Sequence, residues 1–264
     1  MSWPTRLLTR EDPPPFRVID GRSDAPFLMT ADHAGRVIPR ALGTLGLSAA
    51  DRERHIAWDI GIGALSEQLA RRLGAFLILQ TYSRLVIDCN RPLDAPSSIA
   101  VESDRTPIPG NRNLSAQEVE ARANEVFRPY HARIEQEIAR RESAMLPVIF
   151  VAMHSFTPRF DGVDRPWQCG VLCNRDRRLA DRLLTQLRGE GLNVGDNEPY
   201  SLSDLTDYGV PYHAEKRGHA YVELEVRQDL ITSDEQQEQW AERLDRALRE
   251  AARPLGQPSG LRFV

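Results

Sequence analysis

The sequence predicts a three-layer α/β/α fold built on a mainly parallel, mixed sheet. Short apolar runs of strand length alternate along the chain with longer segments whose apolar residues recur at helical spacing. No internal repeat and no Gly/Ser-rich linker interrupts that alternation, and 264 residues are enough for one large α/β domain. The economical expectation is therefore a single domain spanning residues 1–264.

The first fifteen residues hold charges and the run Pro13-Pro14-Pro15, which reads as an extended arm reaching to about residue 20. Strands are expected at Phe27-Leu28-Met29, Phe76 to Leu79, Leu85 to Ile87, Val148 to Met153, Gly170 to Leu172 and Tyr221 to Val226. Ile60, Ala64, Leu65, Leu69 and Leu73 recur at three- and four-residue steps and mark a helix. Ser115 with Glu118 makes a capping box, followed by the stripe Val119, Ala123, Val126, Phe127, Tyr130, Ile134 and Ile138. A last helix opens near Thr232, with Glu235 three residues on, and carries Trp240, Leu244 and Leu248 along one face. Two stretches, about 89–114 and 155–168, fit no regular element, and long connections of that kind usually build sites.

With 41% hydrophobic and 27% charged residues, composition is that of an ordinary globular protein, which sets disordered and fibrous classes aside. Net charge is −4 and basic residues are dispersed, so nothing marks a nucleic-acid or anionic-membrane surface. No signal-peptide pattern opens the chain and no apolar run approaches membrane-spanning length, so a cytoplasmic protein is expected. Three cysteines are too few for a disulfide framework. Cys169 and Cys173 lack the further ligands of a structural zinc site, and Cys89 lacks a catalytic partner. The Asn113-Leu114-Ser115 sequon has no secretory context. Nucleophile elbows and phosphate-binding glycine loops are missing, which argues against serine chemistry and nucleotide use.

The chemistry-bearing residues gather at strand ends. Two of the six histidines, His33 and His154, directly follow apolar strand-like runs. In an open α/β sheet, positions beyond the carboxyl ends of strands converge on one edge where ligands bind. Two imidazoles there can share a metal ion, or each can simply cap its strand by hydrogen bonding. A catalytic zinc needs a third protein ligand, and Asp59 is preferred because it sits early in the helical pattern among apolar neighbours. Its competing role is helix capping. His55, four residues earlier, would share its helix face and serve as a partner or alternative ligand.

Tyr221 to Arg227 alternates apolar and charged residues, placing Glu223, Glu225 and Arg227 on one strand face. A solvated edge strand would show the same pattern. In a sheet covered on both sides, an acidic face lines a cavity, and a carboxylate there suits a general base. Asn90 and Arg91 lie just beyond the Leu85–Ile87 run. The planar fork of an arginine binds a carboxylate in bidentate fashion, and Asn adds a neutral donor, which suits the α-carboxylate of an amino acid.

The same residues carry a family resemblance. Ala31 to Pro39, His55 to Gly61, Ser83 to Pro92, His154-Ser155-Phe156 and Glu223 to Leu230 resemble, in order, successive blocks of the N-formylglutamate amidohydrolase family. That family is similar in fold to zinc carboxypeptidases and aspartoacylases. The resemblance implies a phosphorylase/hydrolase-like domain, one zinc ion and hydrolysis of an N-acyl amino acid such as N-formyl-L-glutamate. It implies His33 and His154 as ligands, Glu225 as catalytic carboxylate and Asn90-Arg91 as carboxylate clamp. Arg84 or His213 would engage the substrate side chain or the oxyanion. The wider group places a glutamate three residues after its first histidine, where this chain has Arg36, so Asp59 is the substitute ligand and Glu102 the fallback.

Three other readings remain compatible with the sequence: a carboxypeptidase-like peptidase, a deacylase for other acyl groups, and a non-catalytic amino-acid or metal-binding protein. The expected partner is a small molecule, and the oligomeric state, a homo-oligomer included, is left open.

Overall fold

The computed structural model describes residues 6–253. Seven strands form one sheet: β1 (Phe16–Ile19), β2 (Phe27–Ala31), β3 (Phe76–Gln80), β4 (Ile149–Phe156), β5 (Cys169–Leu172), β6 (Val194–Asp196) and β7 (Ala220–Arg227). Their order is β1-β3-β2-β4-β7-β5-β6. The four central strands β3, β2, β4 and β7 are parallel; β1 pairs antiparallel at one edge, and β5 with β6 runs reversed at the other. Nearly every residue of the central four is buried, as expected where both faces of a parallel sheet are covered.

Helices α1 (Ile62–Leu73), α3 (Arg178–Gly189) and α4 (Asp234–Ala252) pack side by side against one face, with α2 (Arg128–Ser143) and the short helix Gly209–His213 covering the other. The expected three-layer architecture is thus present. Helix α1 starts at Gly61, whose φ of 80° suits glycine and where a Cβ would press to 2.4 Å from the Ile231 carbonyl oxygen.

The structure departs from the sequence reading in several places. Leu85 to Ile87 is not a strand; residues 84–86 form a turn. Three apolar residues do not specify a strand by themselves, and here they are buried from a loop, Leu85 joining a small cluster with Leu45, Leu47, Ile56 and Ile108. Residues 16–19, assigned to the arm, form edge strand β1. Strand β6 and helix α3 were not anticipated. The last helix is capped by Ser233 with Gln236, one residue later than the expected Thr232 and Glu235.

The Ser115–Glu118 capping box forms as read. Residues 123–127 then wind as a wider π-turn before α2 begins, which shifts the phase of the apolar stripe. Val119 is left exposed and Arg122 takes the inward position instead. The Arg122 guanidinium donates to the carbonyl oxygens of Val86 and Gly110 and to Asn111 Oδ1. Asn111 in turn donates to Leu85 and Ala100. This knot shapes the long connection that follows β3.

A second tie lies nearby. His131 Nε2 is 2.9 Å from the Cys89 carbonyl oxygen, and its Nδ1 is 2.8 Å from His213 Nε2. Burial pushes the His131 imidazole down to about 3, and burial together with its neighbour holds His213 well below the ordinary histidine range.

Two outcomes are expected. Arg122→Leu leaves the three acceptors around it short of a charged donor, at a cost on the order of 3 kcal/mol. Calorimetry should show the melting temperature fall by ~5–10 °C for a chain of this size. The histidine pair has a pH signature: its folded pKa values lie below those of the unfolded chain. Its contribution to stability is therefore complete above about pH 6.5 and is lost as the pH falls toward 3. In urea unfolding at stepped pH, His131→Gln should flatten the slope of stability between about pH 6 and 4 by roughly one proton. An unchanged slope would mean that the folded pair protonates normally.

Candidate active site

Strands β2 and β4 are parallel neighbours, so their carboxyl ends meet at one edge of the sheet. His33 lies two residues beyond β2, and His154 sits in β4 two residues before its end. Asp59 comes from a third segment. It is not inside a helix, as the sequence suggested, but three residues ahead of α1, where no side chain caps the helix. Its backbone N–H donates to the His33 carbonyl oxygen at 2.9 Å, and its Oδ2 accepts from the Ser155 N–H at 3.1 Å. Both bonds fix the carboxylate against the two histidines.

The result is a compact triangle. His154 Nδ1 is 3.1 Å from His33 Nδ1 and 3.1 Å from Asp59 Oδ2, and His33 Nδ1 is 3.6 Å from the same oxygen. Ligands about 2.0–2.1 Å from a tetrahedral zinc are separated by about 3.3–3.4 Å. The three atoms thus already stand near the spacing such an ion requires, and all three residues are buried. Burial alone would raise the Asp59 carboxyl, but the two histidines outweigh it and hold the group well below the usual carboxylate range.

Neighbouring carboxylates orient the imidazoles. Asp88 Oδ1 lies 2.6 Å from His33 Nε2, which turns His33 Nδ1 toward the triangle. Arg84 closes the other side, donating to Asp88 Oδ2 at 2.7 Å and reaching Asp59 Oδ1 at 3.5 Å. His154 Nε2 faces Asp32 Oδ2 at 3.8 Å and Glu223 Oε2 at 3.9 Å, and Tyr130 donates to the other Asp32 oxygen. Asp32 and Asp88 were not singled out from sequence. Their signal was available, since Asp32 directly precedes His33 and Asp88 lies two residues before Asn90.

Glu223 and Glu225 share the cavity face of β7, as the strand period predicts. Both are buried, and Glu225 Oε2 and Glu223 Oε2 meet no hydrogen-bond partner among the described residues. Burial pushes Glu223 up to about 7 and Glu225 well above the ordinary carboxylate range. Gly170 on β5 pairs with Glu225; a Cβ there would stand 2.2 Å from the Glu198 carbonyl oxygen.

A cavity of ≈ 430 Å³ opens over this group and is lined by His33, Asp59, His154, Glu225, Arg84 and Arg91, among others. Asn90 also borders it, but its amide is committed elsewhere: Oδ1 accepts from the Tyr208 and Gly209 N–H groups and Nδ2 donates to Asp207. Asn90 therefore anchors the 206–209 loop. Arg91 pairs with Asp207 at 3.3 Å while keeping a partly exposed side chain. His55 and Glu102 line the cavity without joining the triangle, and His55 bonds Asp104 at 3.1 Å. His213, expected at the substrate, is fully buried behind the site on His131 and does not border the cavity. The cysteines are free and buried, with burial raising the Cys89 thiol well up.

No curated protein matches the chain. A solved gene product from Agrobacterium tumefaciens is 36% identical and superposes with a TM-score of 0.92, over 96% of this chain and 100% of the other. An N-formylglutamate amidohydrolase from Ralstonia eutropha JMP134 is 22% identical with a TM-score of 0.68, over 90% and 97%, and so shares the fold. Residues 25–232, which contain every residue of the triangle and both glutamates, match the family model of N-formylglutamate amidohydrolase. The chain belongs to the N-formylglutamate amidohydrolase family and is an amidohydrolase.

Proposed function

We propose that the chain is a metal-dependent enzyme that hydrolyses the N-acyl, in the first place N-formyl, amide of an amino acid with a free α-carboxylate. N-Formyl-L-glutamate, the compound that gives the family its name, is one such substrate. The observation that carries this reading is the buried His33–Asp59–His154 triangle at the base of the cavity, with Glu225 on the adjoining strand.

Zinc fits the donor set of two imidazoles and one carboxylate, held by His33, Asp59 and His154. When bound, such an ion supplies Lewis acidity, polarising the scissile carbonyl and acidifying a water. The remaining work belongs to the side chains. Glu225 accepts the proton of the attacking water and returns it to the leaving nitrogen, so formate and the free amino acid are released. Arg84, stretched between Asp59 and Asp88, stands where it can meet the charge that develops on the carbonyl oxygen. Arg91 holds the α-carboxylate, with Asn90 fixing the loop beside it rather than touching substrate. Among the described residues no helix is long and apolar enough to cross a membrane. The unpaired, buried cysteines suit the reducing cytoplasm we assign to this one-domain enzyme.

Two measurements test the assignment. Elemental analysis of His33→Ala and His154→Ala should show most of the bound zinc lost, and Asp59→Ala a partial loss. Full occupancy in both histidine variants would place the ion elsewhere. Glu225→Gln keeps shape and metal but cannot take the proton, so kcat should drop by ~10²- to 10⁴-fold with zinc content unchanged. Near-normal kcat with zinc bound would remove Glu225 from the role, whereas zinc loss would make it a ligand.

A further inference from the structure

The reaction above accounts for the acyl amide and the α-carboxylate and leaves the substrate's side chain without a receptor. His213 is buried behind the site, Arg84 is held by Asp88 and Asp59, and Arg91 by Asp207. The connection after β4 supplies a further cation. A short hairpin there pairs Arg159–Phe160 with Val163–Asp164, and Arg165 follows it directly. Two hydrogen bonds fix the Arg165 backbone. Its N–H donates to the Pro158 carbonyl at 2.8 Å, and its carbonyl accepts at 3.4 Å from Arg227, at the end of the strand that carries Glu225.

The Arg165 guanidinium lies against aromatic rings of the cavity wall. Its centre is 4.7 Å from the Phe160 ring, 4.7 Å from the Tyr200 ring and 5.9 Å from the Phe156 ring, and all three line the cavity. Stacking uses the faces of this planar group and leaves its edge, which carries the N–H donors, for an acceptor. One donor reaches the Tyr200 hydroxyl at 2.9 Å. Other arginines nearby are neutralised: Arg54 pairs with Asp51 and Asp104, Arg105 with Asp161 and Arg159 with Asp164. Arg165 pairs with no carboxylate among the described residues, although it adjoins Asp164 in the chain.

Tyr200 links this cation to the reacting groups. Burial raises its hydroxyl, Glu225 adds to the rise, and Arg165 and Arg84 oppose it, so the ring stands within electrostatic reach of the proposed base. Because the Tyr200 oxygen accepts from Arg165, its own proton is free to be donated to a ligand.

Resting on the amidohydrolase reading of the same site, we propose that Arg165 is a specificity-determining residue whose free edge, together with the Tyr200 hydroxyl, receives a carboxylate at the end of the substrate's side chain. Arg91 and Arg165 are then two anion receptors at one cavity, and N-acyl derivatives of dicarboxylic amino acids are the class selected. A neutral side-chain amide fits less well, because its NH₂ would face a surface that offers only donors.

The test is a comparison of kcat/KM for the zinc-loaded full-length chain on the N-formyl derivatives of glutamate, glutamine and leucine. The wild type should favour glutamate over the other two by roughly 10- to 100-fold. Arg165→Gln, at unchanged melting temperature and zinc content, should bring the glutamate-to-glutamine ratio near unity, with the loss in KM for the glutamate derivative. Arg165→Lys keeps the charge without the fork and should retain part of the preference. Tyr200→Phe keeps the ring and removes the hydroxyl, and should lower the glutamate value alone by about tenfold. A wild type that does not prefer glutamate, or an Arg165→Gln variant that still does, overturns the proposal and leaves the amidohydrolase reading standing. An equal loss on all three substrates also overturns it, since that is what a purely structural Arg165 would give. Turnover of none of the three with zinc bound overturns both readings.

Discussion

The constraint on which this structure turns is the concentration of carboxylates beyond the ends of β2, β4 and β7. An ionised carboxylate taken out of water without compensation costs several kcal/mol, so each one needs a cation, a set of donors or a proton. Asp88 has Arg84 and His33, Asp207 has Arg91 and the Ser203 N–H, and Asp59 has two imidazoles and the Ser155 N–H. Glu223 has only His154 at 3.9 Å, the Oε2 atoms of Glu223 and Glu225 accept no hydrogen bond among the described residues, and burial raises both carboxyls toward their protonated form. The edge is thus short of positive charge beside a triangle of atoms at metal-ligand spacing, so a bound cation would relieve the electrostatic deficit as well as supply the chemistry.

Holding such a group in place requires rigid support, and much of it comes from polar side chains buried behind the cavity. Strands β2, β4 and β7 deliver His33, His154 and Glu225 from one sheet, so their relative positions follow from ladder register: Glu225 is the direct neighbour of His154. The residues after β3 have no such register. Their positions depend on Arg122 and Asn111 gripping the carbonyls of residues 85, 86, 100 and 110, and on His131 gripping that of Cys89. The π-turn within the helical segment is what allows Arg122, Tyr130 and His131 all to be buried from one helical stretch.

The sequence revealed the parts of this arrangement that depend on local pattern. Parallel strands buried on both faces read as apolar runs, and the period of β7 assigned Glu223 and Glu225 to one face without any knowledge of neighbours. The triangle residues were legible because a histidine after an apolar run has few structural reasons to be there. What failed depended on distant partners. Leu85 to Ile87 has strand composition but pairs with no strand, its apolar side chains being buried from a turn. His213 sits in a turn-rich stretch that suggests a loop, yet it is buried because His131, 82 positions away, completes its hydrogen bond. Asn90 looks like a substrate donor until the 207–209 segment occupies both ends of its amide, the Tyr208 and Gly209 N–H groups at Oδ1 and the Asp207 carboxylate at Nδ2.

The placement of Arg36 shows why the third ligand of the proposed site comes from another segment. After His33 the chain turns, and Gly35 is pressed so close to the strand end that a Cβ would sit 2.1 Å from the Thr81 carbonyl oxygen. Val37 then pairs with Tyr82 as a parallel bridge, its N–H donating to Thr81 and its carbonyl accepting from Ser83. This path carries residue 36 outward, where Arg36 stacks over Trp58 and pairs with Glu53. A glutamate at that position would need a different course for residues 34–37 to reach the histidines. Asp59 needs none: the hydrogen bond from its own N–H to the His33 carbonyl sets the two residues in register, and the adjoining turn delivers the carboxylate. Spacing along the chain is therefore a poor guide to the proposed ligands, because His33 and Asp59 are brought together by backbone pairing between segments 26 residues apart rather than by the rise of one element.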